Sequence, residues 1–68
     1  MVLSARNNLP GTIAEIQWGD VVVHVTVRVG DHLIESVITR RGAEEMALKK
    51  GDAVTAVVKA TEVMLSKA

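Results

Sequence analysis

Apolar and polar residues alternate along most of this chain, and the rhythm changes once. From Val21 to Val29 every odd position is valine, while Val22, His24, Thr26 and Arg28 fill the even ones. A period of two in β-branched residues predicts a half-buried strand. Gly11 to Trp18 predicts a strand before it, with Gly19-Asp20 as a tight hairpin turn. Gly30-Asp31 predicts a second turn and His32 to Thr39 a third strand, so the first half reads as an antiparallel meander. Between Arg40 and Lys50 the period lengthens. Ala43, Met46 and Ala47 fall at i, i+3 and i+4, the apolar stripe of a short helix. Glu44 and Glu45 stand early in it and Lys49 and Lys50 late, the order that suits the helix dipole, and Gly51 suits a C-cap.

After Asp52 the alternation returns. Val54, Ala56, Val58 and Ala60 are expected on one face of a strand from Ala53 to Thr61, with Thr55, Val57, Lys59 and Thr61 on the other. Val63 to Leu65 predicts a last short strand. A helix between the third and fourth strands of a small, mainly β domain predicts a five-stranded OB-like barrel with one short helix, covering residues 1–68 as a single domain. Such a barrel keeps short edges, and the extended start Val2 to Arg6 is a candidate to pair with an edge on another chain.

Length and composition add a constraint. A chain of 68 residues buries only ~60% of its unfolded surface, and folds this small usually lean on disulfides, a metal or partner chains. There is no cysteine, which excludes disulfides, thiolate zinc sites and thiol catalysis. The two histidines alone make no closed zinc site. Partner chains are the remaining route, and a hydrophobic content of 49% gives them surface to share. Eight basic residues balance eight acidic ones, so the basic excess of a non-specific duplex binder is missing. Trp18 is the sole aromatic, too few for a base-stacking platform, and we expect it in packing or subunit contact. No apolar run approaches the ~20 residues of a membrane span. The start Met1-Val2-Leu3-Ser4-Ala5-Arg6 lacks the pattern of a secretory signal, so the expected location is the cytoplasm and no membrane partner is expected.

Catalytic patterns are missing as well. There is no nucleophile-elbow motif and no glycine-rich phosphate loop, and the scattered carboxylates read as solvated surface groups. No enzyme activity is expected. His24 lies on the polar face of the valine-rich strand with no second ligand beside it at strand spacing, so it reads as a surface or interface histidine, and His32 reads the same way. Two segments are richer in donors. Ser4-Ala5-Arg6-Asn7 gathers a hydroxyl, a guanidinium and an amide; Lys59-Ala60-Thr61-Glu62 places a lysine and a threonine on one strand face with a small residue between them. Tetrahedral oxyanions need convergent N–H, O–H and cationic donors, and a small residue lets an anion reach the backbone N–H. A strand entry at the first segment and a surface strand end at the second account for the same residues without a ligand.

Ser4-Ala5-Arg6-Asn7, Val37-Ile38-Thr39 ahead of a short helix, Leu48 to Gly51, and Val58-Lys59-Ala60-Thr61-Glu62-Val63 together resemble the molybdenum-pterin-binding protein family, also called molbindins or Mop domains. The resemblance runs through the whole chain in the family's order. It implies a small OB-type barrel that binds molybdate or tungstate, and a hexamer, a trimer of dimers, with the oxyanions held at subunit interfaces. It implies the free-standing form, serving storage or homeostasis rather than transcription control or transport. Carried over residue by residue, the binding segments fall on Ser4, Ala5, Arg6, Asn7, Lys59, Ala60 and Thr61, and Thr39 falls where the family tends to place a further hydroxyl. Molybdenum would be held as its oxyanion, with no protein atom bound to the metal and no organic cofactor. In one place the chain departs from the pattern. The family often has a serine soon after that threonine, and Arg40 and Arg41 stand there instead, a different kind of donor. The rival readings are an OB module for single-stranded nucleic acid and a purely structural oligomerisation domain.

Overall fold

One long strand organises the molecule. In the computed structural model, which describes residues 6–68, β1 (Asn7–Trp18) is a 12-residue strand shared between two neighbours. Its second part pairs antiparallel with β2 (Val22–Val29), from Thr12 opposite Arg28 to Trp18 opposite Val23. Its first part pairs antiparallel with β4 (Ala53–Val58), from Thr12 opposite Ala53 to Asn7 opposite Val58. β3 (His32–Thr39) lies on the far side of β2, so the sheet order is β3-β2-β1-β4.

The register slips once, between Ile13 and Glu15, where Ala14 is the extra residue of a bulge. Leu9, Gly11 and Ile13 are inward before it and Ile16 after it, so the buried set passes from odd to even numbers. The strand begins four residues before the expected start at Gly11, at Asn7, where Asn7, Asn8 and Pro10 read as turn residues in the sequence. Pro10 nonetheless fits the strand. Ile13 donates to the Asp52 carbonyl and accepts from the Gly51 N–H, both on the β4 side. By alternation the backbone of Pro10 faces the other way, where β2 pairing has not begun, so its missing N–H breaks no ladder bond.

The core is small. Ile13, Val23, Val25, Val27 and Ala43 are buried, and Ile16, Val29, Ile34, Ile38, Leu48 and Val54 pack against them. The valine face of β2 is inward as the alternation predicts, except that Val21 lies outside the strand and is 75% exposed. The chain from Gly19 to Val21 links β1 to β2, and Gly19 N–H donates to the Val22 carbonyl. Gly30-Asp31 forms the expected two-residue hairpin. Gly30, at φ +59°, alone takes the left-handed conformation, the pattern of a type II′ turn.

The helix is shorter than the sequence suggests. α1 covers Arg40–Glu45, not Arg40 to Lys50. It starts where Thr39 Oγ1 accepts from Gly42 N–H at 3.1 Å. It stops in a Schellman motif: Leu48 N–H donates to the Ala43 carbonyl and Ala47 N–H to the Glu44 carbonyl. Only Ala43 of the predicted stripe is buried; Met46 is the C-cap and Ala47 lies beyond it. Lys49 and Lys50 therefore follow the helix, and Gly51 leads into β4 rather than capping α1. Ala47 occupies the left-handed region at φ 51°. A Cβ there costs ~1 kcal/mol or more. We expect Ala47→Gly to stabilise the chain by about 1 kcal/mol and to raise its thermal midpoint by about 4–8 °C in a domain of this size. A lower midpoint in a calorimetric scan would show that another contact decides this turn.

Among the described residues the sheet has four strands rather than the expected five and does not close into a barrel. β4 stops at Val58, and a 3₁₀ turn, Ala60–Glu62, follows, closed by Glu62 N–H on the Lys59 carbonyl at 2.8 Å. That bond pulls the predicted end of the strand out of line. Residues 63–65 join no strand among the described residues, although Val63 is extended at φ −92°, ψ 121°. The two outer strands, β3 and β4, border an apolar groove of about 210 Å³, lined among others by Ser36 and Ile38 on one side and Val54 and Ala56 on the other. β4 carries neither a charge nor a proline.

Candidate oxyanion site

The β1–β4 ladder decides where the donor segments lie. Its last rung sets Asn7 opposite Val58. Arg6, just before β1, and Lys59, just after β4, therefore leave the same end of the sheet side by side. Both are exposed, and no carboxylate pairs with Lys59 among the described residues. Ala60 and Thr61 lie in the 3₁₀ turn rather than on a strand face, so Lys59 and Thr61 are brought round a bend instead of along a line. Ala60 and Thr61 are the first residues of that turn, the positions whose N–H groups have no acceptor inside a helix. Ser4, Ala5 and most of the segment from Val2 to Arg6 that was expected to be extended lie outside the described residues.

Thr39 is elsewhere. It pairs with Val22 at the end of β3, beside the Trp18 end of β1. The Asn7 end and the Trp18 end are the two limits of a 12-residue strand, at most about 36 Å apart at ~3.3 Å per residue. One chain thus brings Arg6, Asn7, Lys59, Ala60 and Thr61 together and sets Thr39 apart from them. The Thr39 hydroxyl accepts the Gly42 N–H as the helix cap, and its own proton remains available for donation.

Arg40 and Arg41 divide their duties. Arg40 places its guanidinium 5.8 Å from the Trp18 ring centroid, donates from Nη1 to the Gly19 carbonyl at 3.1 Å and pairs with Glu44 at 3.6 Å. It pins the helix start to the β1–β2 link, a task that spacing alone does not reveal. Arg41 is nearly fully exposed and meets only Glu45, at 3.2 Å. Trp18 is 46% exposed, held on one side by Arg40. His24 is accounted for within the chain, on the outer face of the β2–β3 pair. Its Nε2 lies 2.5 Å from Glu35 Oε2, and Thr26 Oγ1 donates to the other oxygen at 3.1 Å. The imidazole approach is a close contact off the line of a good hydrogen bond, and both side chains are partly exposed, so its contribution is modest. His32 begins β3, exposed. Among the described residues no group of three or more metal-ligating side chains converges. Among the described residues no helix is long and apolar enough to cross a membrane.

The TOBE domain model matches residues 3–65, almost the full length. The chain belongs to the TOBE-domain family. Molybdenum-pterin-binding protein 2 of Clostridium pasteurianum is 39% identical over 66 residues, covering 96% of this chain and 97% of its own. Among solved structures, a molybdate-binding protein from Sporomusa ovata superposes with a TM-score of 0.93 at 36% identity, over 98% of this chain and 100% of its own. The cytoplasmic molybdate-binding protein ModG, with molybdate bound, superposes with a TM-score of 0.82 at 39% identity, over 88% of this chain and 43% of its own. These matches bear out the family read from the sequence, and the family model extends through both donor segments.

Proposed function

We propose that this protein binds molybdate or tungstate between the chains of a homo-oligomer and serves as a cytoplasmic store of the oxyanion. The observation that carries the proposal is the Asn7–Val58 rung, which gathers Arg6, Asn7, Lys59, Ala60 and Thr61 at one sheet end in a chain similar along its whole length to molybdate-binding proteins. A tetrahedral dianion is held by fixed donors and released by none of the chemistry that a catalyst needs. In this reading Lys59 supplies countercharge, Thr61 and Ser4 supply hydroxyls, and the N–H groups near Ala5, Arg6 and Ala60 complete the shell. Each hydrogen bond to a charged group contributes ~1.5–3 kcal/mol.

A shared site has a physical motive. Thr39 sits at the opposite end of β1 from the other donors, so a shell that includes it takes that residue from a second chain. A ligand that binds only the assembled form also stabilises assembly by mass action. Native mass spectrometry with and without molybdate tests both halves of the reading. We expect a hexamer that gains mass in whole anion steps, with slower subunit exchange when loaded. A monomer at micromolar concentration, or an oligomer that takes up no anion, would overturn it.

A further inference from the structure

Lys59 has an acidic neighbour that does not pair with it. Glu62 closes the 3₁₀ turn that Lys59 opens, its N–H donating to the Lys59 carbonyl at 2.8 Å. Three residues make one full turn of this kind of helix, so Glu62 comes round to the side from which Lys59 leaves. One turn at ~2.0 Å per residue advances the chain by only about 6 Å. Glu35, Glu44, Glu45 and Asp52 each hold a partner within the chain. Glu62 makes neither an ion pair nor a side-chain hydrogen bond among the described residues, although Lys59 and Arg6 leave the same sheet end. We infer that Glu62 is a built-in brake on the oxyanion site: its carboxylate opposes the anion that Lys59 attracts, and so limits how tightly the protein holds it.

The surroundings of Glu62 favour this role. With Asn7 it borders an apolar hollow lined by Leu9, Ile34, Val58 and Val63. Apolar walls screen a charge less than water does, so the field of Glu62 reaches the donors beside it. A Lys59–Glu62 ion pair would hold the ammonium back from a ligand. Kept apart, the two leave the lysine available and turn the acid into an opposing charge. Repulsion scales with the product of the charges, so a dianion feels twice what a monoanion feels. A protein that stores an anion has to release it as well, and one carboxylate at the rim lowers affinity without removing a donor. The inference rests on the oxyanion reading and adds to it a control over affinity.

Titration of the full chain with sodium molybdate in a calorimeter tests it, at about 10 mM and about 1 M sodium chloride, where the screening length falls from ~30 Å to ~3 Å. Glu62→Gln removes the charge and keeps the shape. We expect it to bind molybdate about three- to tenfold more tightly than the parent at low salt, and to lose most of that advantage at high salt. Glu62→Asp keeps the charge and should stay within about twofold of the parent. Glu15→Gln, which removes an exposed, unpaired acid opposite Thr26 on β1, should change nothing. Binding by Glu62→Gln that is unchanged or weaker overturns the inference. So does an advantage that persists at high salt or is shared by Glu62→Asp, since shape and not charge would then be the cause. Equal tightening in Glu15→Gln overturns it too, because net charge alone would explain the gain. Each of these leaves the oxyanion reading standing, since the parent still binds. A parent chain that takes up no molybdate removes both.

Discussion

Lys59→Ala is expected to weaken molybdate binding by about tenfold or more while leaving the fold intact. The lysine stands exposed after β4, beside Arg6 and next to the 3₁₀ turn that presents Ala60 and Thr61. Its side chain makes no ion pair among the described residues, so its removal disturbs no internal contact. Loss of a charge-assisted hydrogen bond to a dianion costs ~1.5–3 kcal/mol, which is one to two decades in the dissociation constant. Lys50→Ala serves as the control, since Lys50 is exposed in the turn before β4. Titration calorimetry on both variants decides. An unchanged constant for Lys59→Ala, or an equal loss in Lys50→Ala, would remove Lys59 from the site.

The second large effect is on stability. Gly11 lies on the inner face of β1 where the end of β2 passes over it. A Cβ there would stand 2.4 Å from the Arg28 carbonyl oxygen and 2.9 Å from Val27 Cγ1. The nearest atom is backbone, so relief requires a shift of β2 and not a rotamer change. Overpacking of this kind costs about 1–3 kcal/mol and sometimes more. The chain has little to lose, because ~0.05–0.15 kcal/mol per residue gives a domain of this length only about 3–10 kcal/mol in all. Gly11→Ala should therefore lower the thermal midpoint by about 4–24 °C. A midpoint within about 2 °C of the parent's would mean that β2 yields easily, and the close approach would lose its structural meaning.

How much of this was legible in the sequence depended on the range of the cause. Val23, Val25 and Val27 announced β2 because a half-buried strand writes its period directly into the residues. Gly30-Asp31 announced its hairpin because the backbone conformation is local. Asn7, Asn8 and Pro10 concealed the start of β1, since these residues read as turn rather than strand when the pairing with β4 is not known. The length of α1 was misread because Met46 and Ala47 keep helical spacing while the Ala47 backbone has already turned left-handed. Arg40 on Trp18 was invisible, since it joins positions brought together only by the β1–β2 link. The donor segments were legible as chemistry, but their meeting at one sheet end needed the β1–β4 register, which no local pattern encodes. The last strand expected at Val63 to Leu65 is not formed among the described residues, because the 3₁₀ turn Ala60–Glu62 carries the chain out of line after β4 and no alternation in the sequence announces that bend.

The uncharged border of β4 has a consequence for the cell as well as for the fold. Sheet proteins commonly guard such borders with lysine, proline or a twist, so that a newly made chain does not stick to whatever strand it meets first. This one carries no guard along Ala53–Val58. In the homo-oligomer proposed above, protection is then a matter of supply: when many identical chains are made together, each bare border meets another copy quickly. A chain produced sparsely, or held diluted after synthesis, stays sticky for longer. Solubility of the freshly made protein should thus improve with local abundance over the range where most proteins begin to precipitate.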